Sequence, residues 1–265
     1  MMRPVFAGLI VNFRWVVSAA TLLSLFAPAT AMVGGAEPVP NVSGRPEVMI
    51  VGSRGNSCTG TLIARDLVLT AAHCVPPDAD YKLVQLDANR QPSLRDTARV
   101  ERHPQFSMST FLNHRATADV ALIKLAAPVL NVQPAAVSNE KLSVAPGHRF
   151  VVMGFGLTKR GDGKTGGTLR MATLVATGKP GNLQIRLYDP ATRGERSGLG
   201  ACTGDSGAPI FSESGSRLRV IGVVSWSTGP NNTEGCGGLT GVTPLSLYRG
   251  WIIETARKLG SPVVP

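Results

Sequence analysis

An all-β sandwich or barrel is the fold class this sequence predicts, and three observations predict it. Hydrophobic residues are 43% and charged residues 17% of the 265-residue chain, so a core can form and global disorder is excluded. Glycine and proline number 30 and 19 against only 5% aromatic residues, which calls for many turns and short elements rather than a helical bundle. Short apolar segments then recur between Gly, Pro, Asn or Asp clusters, the pattern of antiparallel strands. The length suits one large domain or two small ones.

The elements follow in chain order. No acid precedes Glu37, and the weakly apolar run 15–27 is shorter than the roughly 20 residues a membrane-spanning helix needs. Ala29-Thr30-Ala31 places small residues at the −3 and −1 positions of a signal-peptidase site, so 1–31 reads as a signal peptide cut after Ala31, with a secreted or periplasmic product. An uncleaved anchor is the alternative. Strands are expected over 48–51, 59–63, 67–70, 81–86, 120–125, 150–153, 169–175, 183–187, 209–211 and 218–226. The stretch 130–139 reads as a linker between an N-terminal half (32–138) and a C-terminal half (139–265). Residues 161–167 carry four glycines and read as a mobile loop without a strand. Leu247, Trp251, Ile252, Thr255 and Leu259 stand at helical spacing before Gly260, which predicts the one clear helix.

The formal net charge of +10 raises a nucleic-acid or anionic-surface role, but the basic residues are scattered without a run of five, so no nucleic-acid partner is expected. Four cysteines in an exported chain suggest two disulfides. Three pairings are open by arithmetic, and sequence proximity favours Cys58–Cys74 with Cys202–Cys236. A zinc site competes, but no Cys-x-x-Cys pair exists.

Thr203-Gly204-Asp205-Ser206-Gly207 is the sharpest local signal. A serine on a tight turn among small neighbours lets a carbonyl approach, with backbone N–H groups converging on its oxygen. Such a serine needs a base, itself oriented by a third group. Among His73, His103, His114 and His148, His73 directly follows a strand in Leu69-Thr-Ala-Ala-His-Cys74. Asp119 heads the apolar segment Val120-Ala-Leu-Ile-Lys-Leu125. Singly, each has a bland reading: a histidine beside a disulfide, a strand-end aspartate, a turn serine. His103 matches a segment without a chemical role, and His114 and His148 read as solvated loop residues.

Together these segments resemble the trypsin/chymotrypsin family of serine endopeptidases. The resemblance rests on Cys58-Thr-Gly-Thr-Leu-Ile63, Leu67-Val-Leu-Thr-Ala-Ala-His-Cys74, Asp119-Val-Ala-Leu-Ile-Lys-Leu125, Cys202-Thr-Gly-Asp-Ser-Gly207, Val224-Ser-Trp226, Cys236-Gly237, Gly154-Phe-Gly156 and Met32-Val-Gly-Gly35. It implies two antiparallel β-barrels packed face to face with a C-terminal helix. It implies catalysis by His73, Asp119 and Ser206, an oxyanion hole of the Gly204 and Ser206 N–H groups, and support of Asp119 by Ser225. The substrate strand would pair with the 225–227 backbone. The primary specificity pocket would involve Gly200, Ala201, Ser225, Trp226, Ser227, and Thr240 or Gly241. With Gly200 at its base in place of an acid, and Ser227 in place of a glycine, small to medium apolar side chains are expected there. The Met32 α-amino group would pair with Asp205. No metal or cofactor is expected; the partners would be protein or peptide substrates and a protein inhibitor, and the chain a monomer. A catalytically dead homologue and a basic protein that binds anionic polymers are the rival readings.

Overall fold

The computed structural model describes residues 2, 32–87, 89, 91–139, 144–179, 183–212 and 219–263. The expected signal peptide lies outside them, apart from the exposed Met2.

Two antiparallel barrels form the body. The first is closed by β2 (Glu47–Gly52), β3 (Ser57–Ala64), β4 (Leu67–Thr70), β5 (Tyr81–Leu86), β6 (Pro92–Arg102) and β7 (Ala121–Leu125), in the order β2-β3-β4-β7-β6-β5, with β2 pairing β5. The second is closed by β9 (Arg149–Gly154), β10 (Arg170–Ala176), β11 (Ile185–Tyr188), β14 (Thr240–Pro244), β13 (Arg219–Ser227) and β12 (Pro209–Ser212). Its ring closes through β9, which pairs with both β10 and β12. Two short strands are added to it: β1 (Glu37–Pro38) on β10, and β8 (Ala136–Val137) parallel to β13.

Three apolar clusters account for this arrangement. One fills the first barrel with residues such as Ile50, Leu62, Val68, Leu83 and Ile123. A second fills the other barrel with Phe150, Val152, Leu174, Ile210 and Val242, and takes in Met32 from the N-terminal segment. The third lies between the barrels and includes Leu67, Leu69, Leu122, Phe155, Phe211 and Val223, closed by Ile252 and Ala256. Strand β4 shows the consequence: Val68 points into its own barrel while Leu67 and Leu69 point into the layer between barrels, so all four of its residues are buried. Each fully buried Leu contributes about 2 kcal/mol relative to exposure.

Helix α1 (Met108–Leu112) is short, and Ser107 caps it by accepting from the Thr110 N–H. Helix α2 (Arg249–Lys258) is the predicted terminal helix; it starts two residues later than expected, because Leu245–Leu247 forms a separate 3₁₀ turn and Tyr248 has non-helical φ/ψ of −117° and 3°. The expected linker 130–139 contains β8, because its Val137 side chain is buried in the layer between barrels. Within 161–167 there is a 3₁₀ turn at Gly163–Thr165, whose Lys164 N–H donates to the Asp162 side chain, and no strand. The disulfides are Cys58–Cys74, joining β3 to the turn after β4, and Cys202–Cys236. Among the described residues no helix is long and apolar enough to cross a membrane.

Candidate active site

His73 lies in a 3₁₀ turn, Ala72–Cys74, directly after β4. The Cys74 disulfide ties that turn back to β3, so the imidazole cannot drift from the barrel rim. Asp119 precedes β7, which pairs with β4, and this brings the two loops side by side. The Asp119 carboxylate is fully buried and receives three donors. The His73 backbone N–H donates to Oδ1 at 2.9 Å, His73 Nδ1 lies 2.8 Å from Oδ2, and the Ser225 hydroxyl donates to Oδ2 at 2.5 Å. A carboxylate only accepts, so Nδ1 carries the ring proton and Nε2 keeps its lone pair, with Cys74 Sγ 3.9 Å away. The half-buried Tyr248 phenol is raised in pKa, first by burial and then by the negative charge of Asp119.

Ser206 comes from the other barrel, on the turn between Cys202 and β12. Gly204 and Gly207 take φ of +95° and +79° there. A Cβ on Gly207 would stand 2.1 Å from Thr70 Oγ1 and 2.3 Å from Thr59 O, so only glycine lets the two barrels meet at this point. The Asp205 side chain turns inward and is fully buried; its oxygens accept from the Gly156 and Cys202 N–H groups, each at 2.9 Å. No cation pairs with it among the described residues, and burial pushes its carboxyl up to about 7. Among the described residues no hydrogen bond from the Gly204 or Ser206 N–H group is found. No hydrogen bond joins Ser206 to His73 in this state, and both line one cleft of about 350 Å³.

Ala201, Ser225, Trp226 and Ser227 also line that cleft, whereas Gly200, Thr240 and Gly241 stand behind its wall. Thr240 Oγ1 accepts from the Ala201 N–H at 3.0 Å. Gly241 lies under the Trp226 indole, where a Cβ would come within 2.1 Å of the ring. Gly200 bridges to Val33, and the buried Met32 sits beside it in the left-handed region at φ +46°. Cys58, His73 and Cys74 bring three metal-type ligand atoms together, but both sulfurs are committed to the disulfide.

Several contributors escape the sequence reading. Phe111 of α1 stacks on the His73 ring at 4.3 Å. His114, read above as a solvated loop residue, stacks on Trp226 at 4.6 Å, and the Arg186 guanidinium lies 5.6 Å from the same indole. Their only sequence signal is the Ser107 cap that starts α1; the ring contacts depend on the tertiary path of the loop.

Comparison with known proteins places these features in context. The trypsin family model matches residues 32–252. A vitellin-degrading protease of Bombyx mori is 29% identical across 86% of this chain and 86% of its own. The snake venom serine protease rhinocerase 4 of Bitis rhinoceros is 28% identical across 83% of this chain and 86% of its own. Transmembrane protease serine 9 of Rattus norvegicus is 29% identical across 89% of this chain, which spans 23% of that protein.

Proposed function

Because the chain belongs to the trypsin family of serine endopeptidases, with proteins as substrates, we propose that it cleaves peptide bonds through His73, Asp119 and Ser206. The observation that carries this reading is the buried Asp119 carboxylate, which accepts from both the backbone and the ring of His73 and leaves Nε2 unprotonated on a ring that lines the same cleft as Ser206. Ser206 Oγ attacks the scissile carbonyl as His73 Nε2 takes its proton. The carbonyl oxygen becomes an anion held by the Gly204 and Ser206 N–H groups. The intermediate collapses, His73 returns the proton to the leaving amine, and an acyl-enzyme remains on Ser206. Water, deprotonated by His73, then attacks the acyl carbon; the bond to Ser206 Oγ breaks, the acid leaves, and His73 returns the proton to Ser206. Asp119 keeps the tautomer and stabilises the imidazolium, and Ser225 holds Asp119. Catalytic hydrogen bonds are often long without substrate, so the Ser206–His73 bond forms as the complex closes. Labelling by a fluorophosphonate, with Ser206→Ala as control, tests the reading: equal labelling of both proteins sinks it.

The residue on the acyl side of the cleaved bond is uncharged and small to medium. Gly200 and Ala201 bring no carboxylate to the pocket, so a substrate Arg or Lys would bury an unpaired cation, and Thr240 behind the wall is already engaged with Ala201. A peptide library cut mainly after Arg or Lys would reject this.

Export and maturation complete the reading. Signal peptidase cuts after Ala31, and the Met32 α-amino group neutralises Asp205, with Met32–Ser138 as the first half of the mature enzyme and 139–265 as the second. Supporting this are Met32, 1% exposed in the same cluster as Ala201 and Ala208, and a buried Asp205 carboxyl held only by backbone N–H groups. N-terminal sequencing of the active protein decides it; a start other than Met32 overturns direct maturation.

A further inference from the structure

Thr59 does more than its place in a strand requires. It belongs to β3 of the first barrel, is fully buried, and uses all four of its polar positions. Its N–H donates to Ser206 O at 2.8 Å, and its hydroxyl donates to Gly204 O at 2.8 Å. The same Oγ1 accepts from the Phe155 N–H at 3.1 Å, and its carbonyl accepts from the Thr70 hydroxyl at 2.8 Å. One residue of the first barrel therefore grips the turn of the second barrel on both sides of Asp205. Gly204 also abuts Gly156, whose Cα would lie 2.9 Å from an added Cβ, so the turn is pressed against one wall and tethered to the other.

We propose that Thr59 is a positioning residue for the oxyanion hole: its hydroxyl holds the Gly204 carbonyl and its N–H the Ser206 carbonyl, which anchors the turn on both sides of Asp205 and with it the neighbouring peptides that carry the Gly204 and Ser206 N–H groups. This rests on the oxyanion-hole reading above. The physical argument is one of satisfaction. A glycine at φ +95° has wide conformational freedom, and the Gly204–Asp205 peptide, whose own N–H is bound to Cys202 O, joins the two peptides that carry the donors, so a shift of it displaces both from the reacting oxygen. Gly204 is buried, so a carbonyl turned to any other orientation would have to find a new partner and would leave the Thr59 hydroxyl proton without its acceptor. The chain thus holds its donors by a neutral cross-barrel bond, independent of any charge at Asp205.

The test compares Thr59→Val, which keeps the shape and removes the hydroxyl, with Thr59→Ser, which keeps the hydroxyl. Turnover is expressed per fluorophosphonate-titratable site, so an unfolded fraction does not count. Binding of a peptide aldehyde, whose hemiacetal oxygen occupies the oxyanion site, is measured alongside. Thr59→Val should lower kcat roughly 30-fold with KM changed less than about twofold, below the 10²–10³ loss of deleting a donor outright. Aldehyde affinity should fall by the same factor, and Thr59→Ser should recover most of both. If Thr59→Val does not fold, Thr59→Ala takes its place. A kcat within about twofold of the parent, a loss confined to KM or to thermal stability, or Thr59→Ser as poor as Thr59→Val overturns the proposal while the hole itself stands. Failure of the aldehyde to inhibit the parent enzyme removes the oxyanion-hole reading and this proposal together.

Discussion

Six strands close each barrel, but the two meet the cleft in different ways. The first contributes His73 and Asp119 from the ends of adjacent strands, β4 and β7, so regular pairing alone sets them side by side. The second contributes Ser206 from a turn with two positive-φ glycines and a buried, inward-turned aspartate. On the proposed mechanism, orientation of the base is thus entrusted to a sheet, while placement of the nucleophile and its anion donors is entrusted to a loop braced from outside. A sheet tolerates side-chain change away from its site residues. The braced loop depends on close backbone approaches that no side chain can replace.

The contrast can be broken most severely at the residues proposed to carry the chemistry. Ser206→Ala and His73→Ala should each lower kcat about 10⁶-fold, and Asp119→Asn about 10⁴-fold, in assays with far-UV circular dichroism to establish folding. Near-parental turnover by Ser206→Ala, free of contaminating protease, would reverse the assignment.

Stability should separate the barrels next. Opening Cys202–Cys236 by a double Ala substitution should cost about 4 kcal/mol and opening Cys58–Cys74 about 3, from loops of 34 and 16 residues on the chain-entropy model. Urea unfolding measures both, and equal or reversed costs would show that the second barrel's loop is already constrained when unfolded.

Glycine substitutions sharpen the point further. In Gly156→Ala the added methyl would fall 2.3 Å from Asp205 Oδ2, against a buried carboxylate that cannot retreat, for a loss of about 3 kcal/mol. In Gly60→Ala, on β3, the methyl meets the ends of Val68 and Ile50 side chains at 2.6 and 2.9 Å, and these can turn aside for about 1 kcal/mol. Thermal unfolding in the two variants should rank them in that order.

A last effect is a slope with pH. While Asp205 lacks a cation, its carboxyl titrates at about 7 when folded against 3.8 when exposed. Between those values the folded chain holds a proton the unfolded chain has released, so stability is complete below about pH 4 and falls as pH rises through about 7. A chain still extended before Met32 should show this slope, and Asp205→Asn should abolish it. The chain beginning at Met32 should lose it by pairing with the α-amino group. Parallel slopes for the extended and Met32-start chains would show that no such pair forms.

Much of this molecule was legible in one dimension. The apolar alternation of β3, β4, β5, β9, β12 and β13, the two favoured cysteine pairs and the motifs around His73, Asp119 and Ser206 are local patterns, and local patterns survive in a sequence. β6 was not legible: Pro92–Arg102 is largely exposed and carries Arg95, Asp96, Arg99, Glu101 and Arg102, so it shows no apolar alternation and is a strand only because β5 and β7 offer it two ladders. The short β1, β8 and β14 are likewise strands by partnership.

By itself, then, the sequence determined the family, the all-β class, and which residue types could act as base, orienter and nucleophile, because residue identity and short-range period carry that information. Only the tertiary structure decided that Thr59 reaches Gly204 across the barrel boundary, that Phe111 covers His73, and that His114 and Arg186 flank Trp226. Those contacts join residues as far as 145 positions apart, and packing two closed barrels against each other is what brings them within bonding distance.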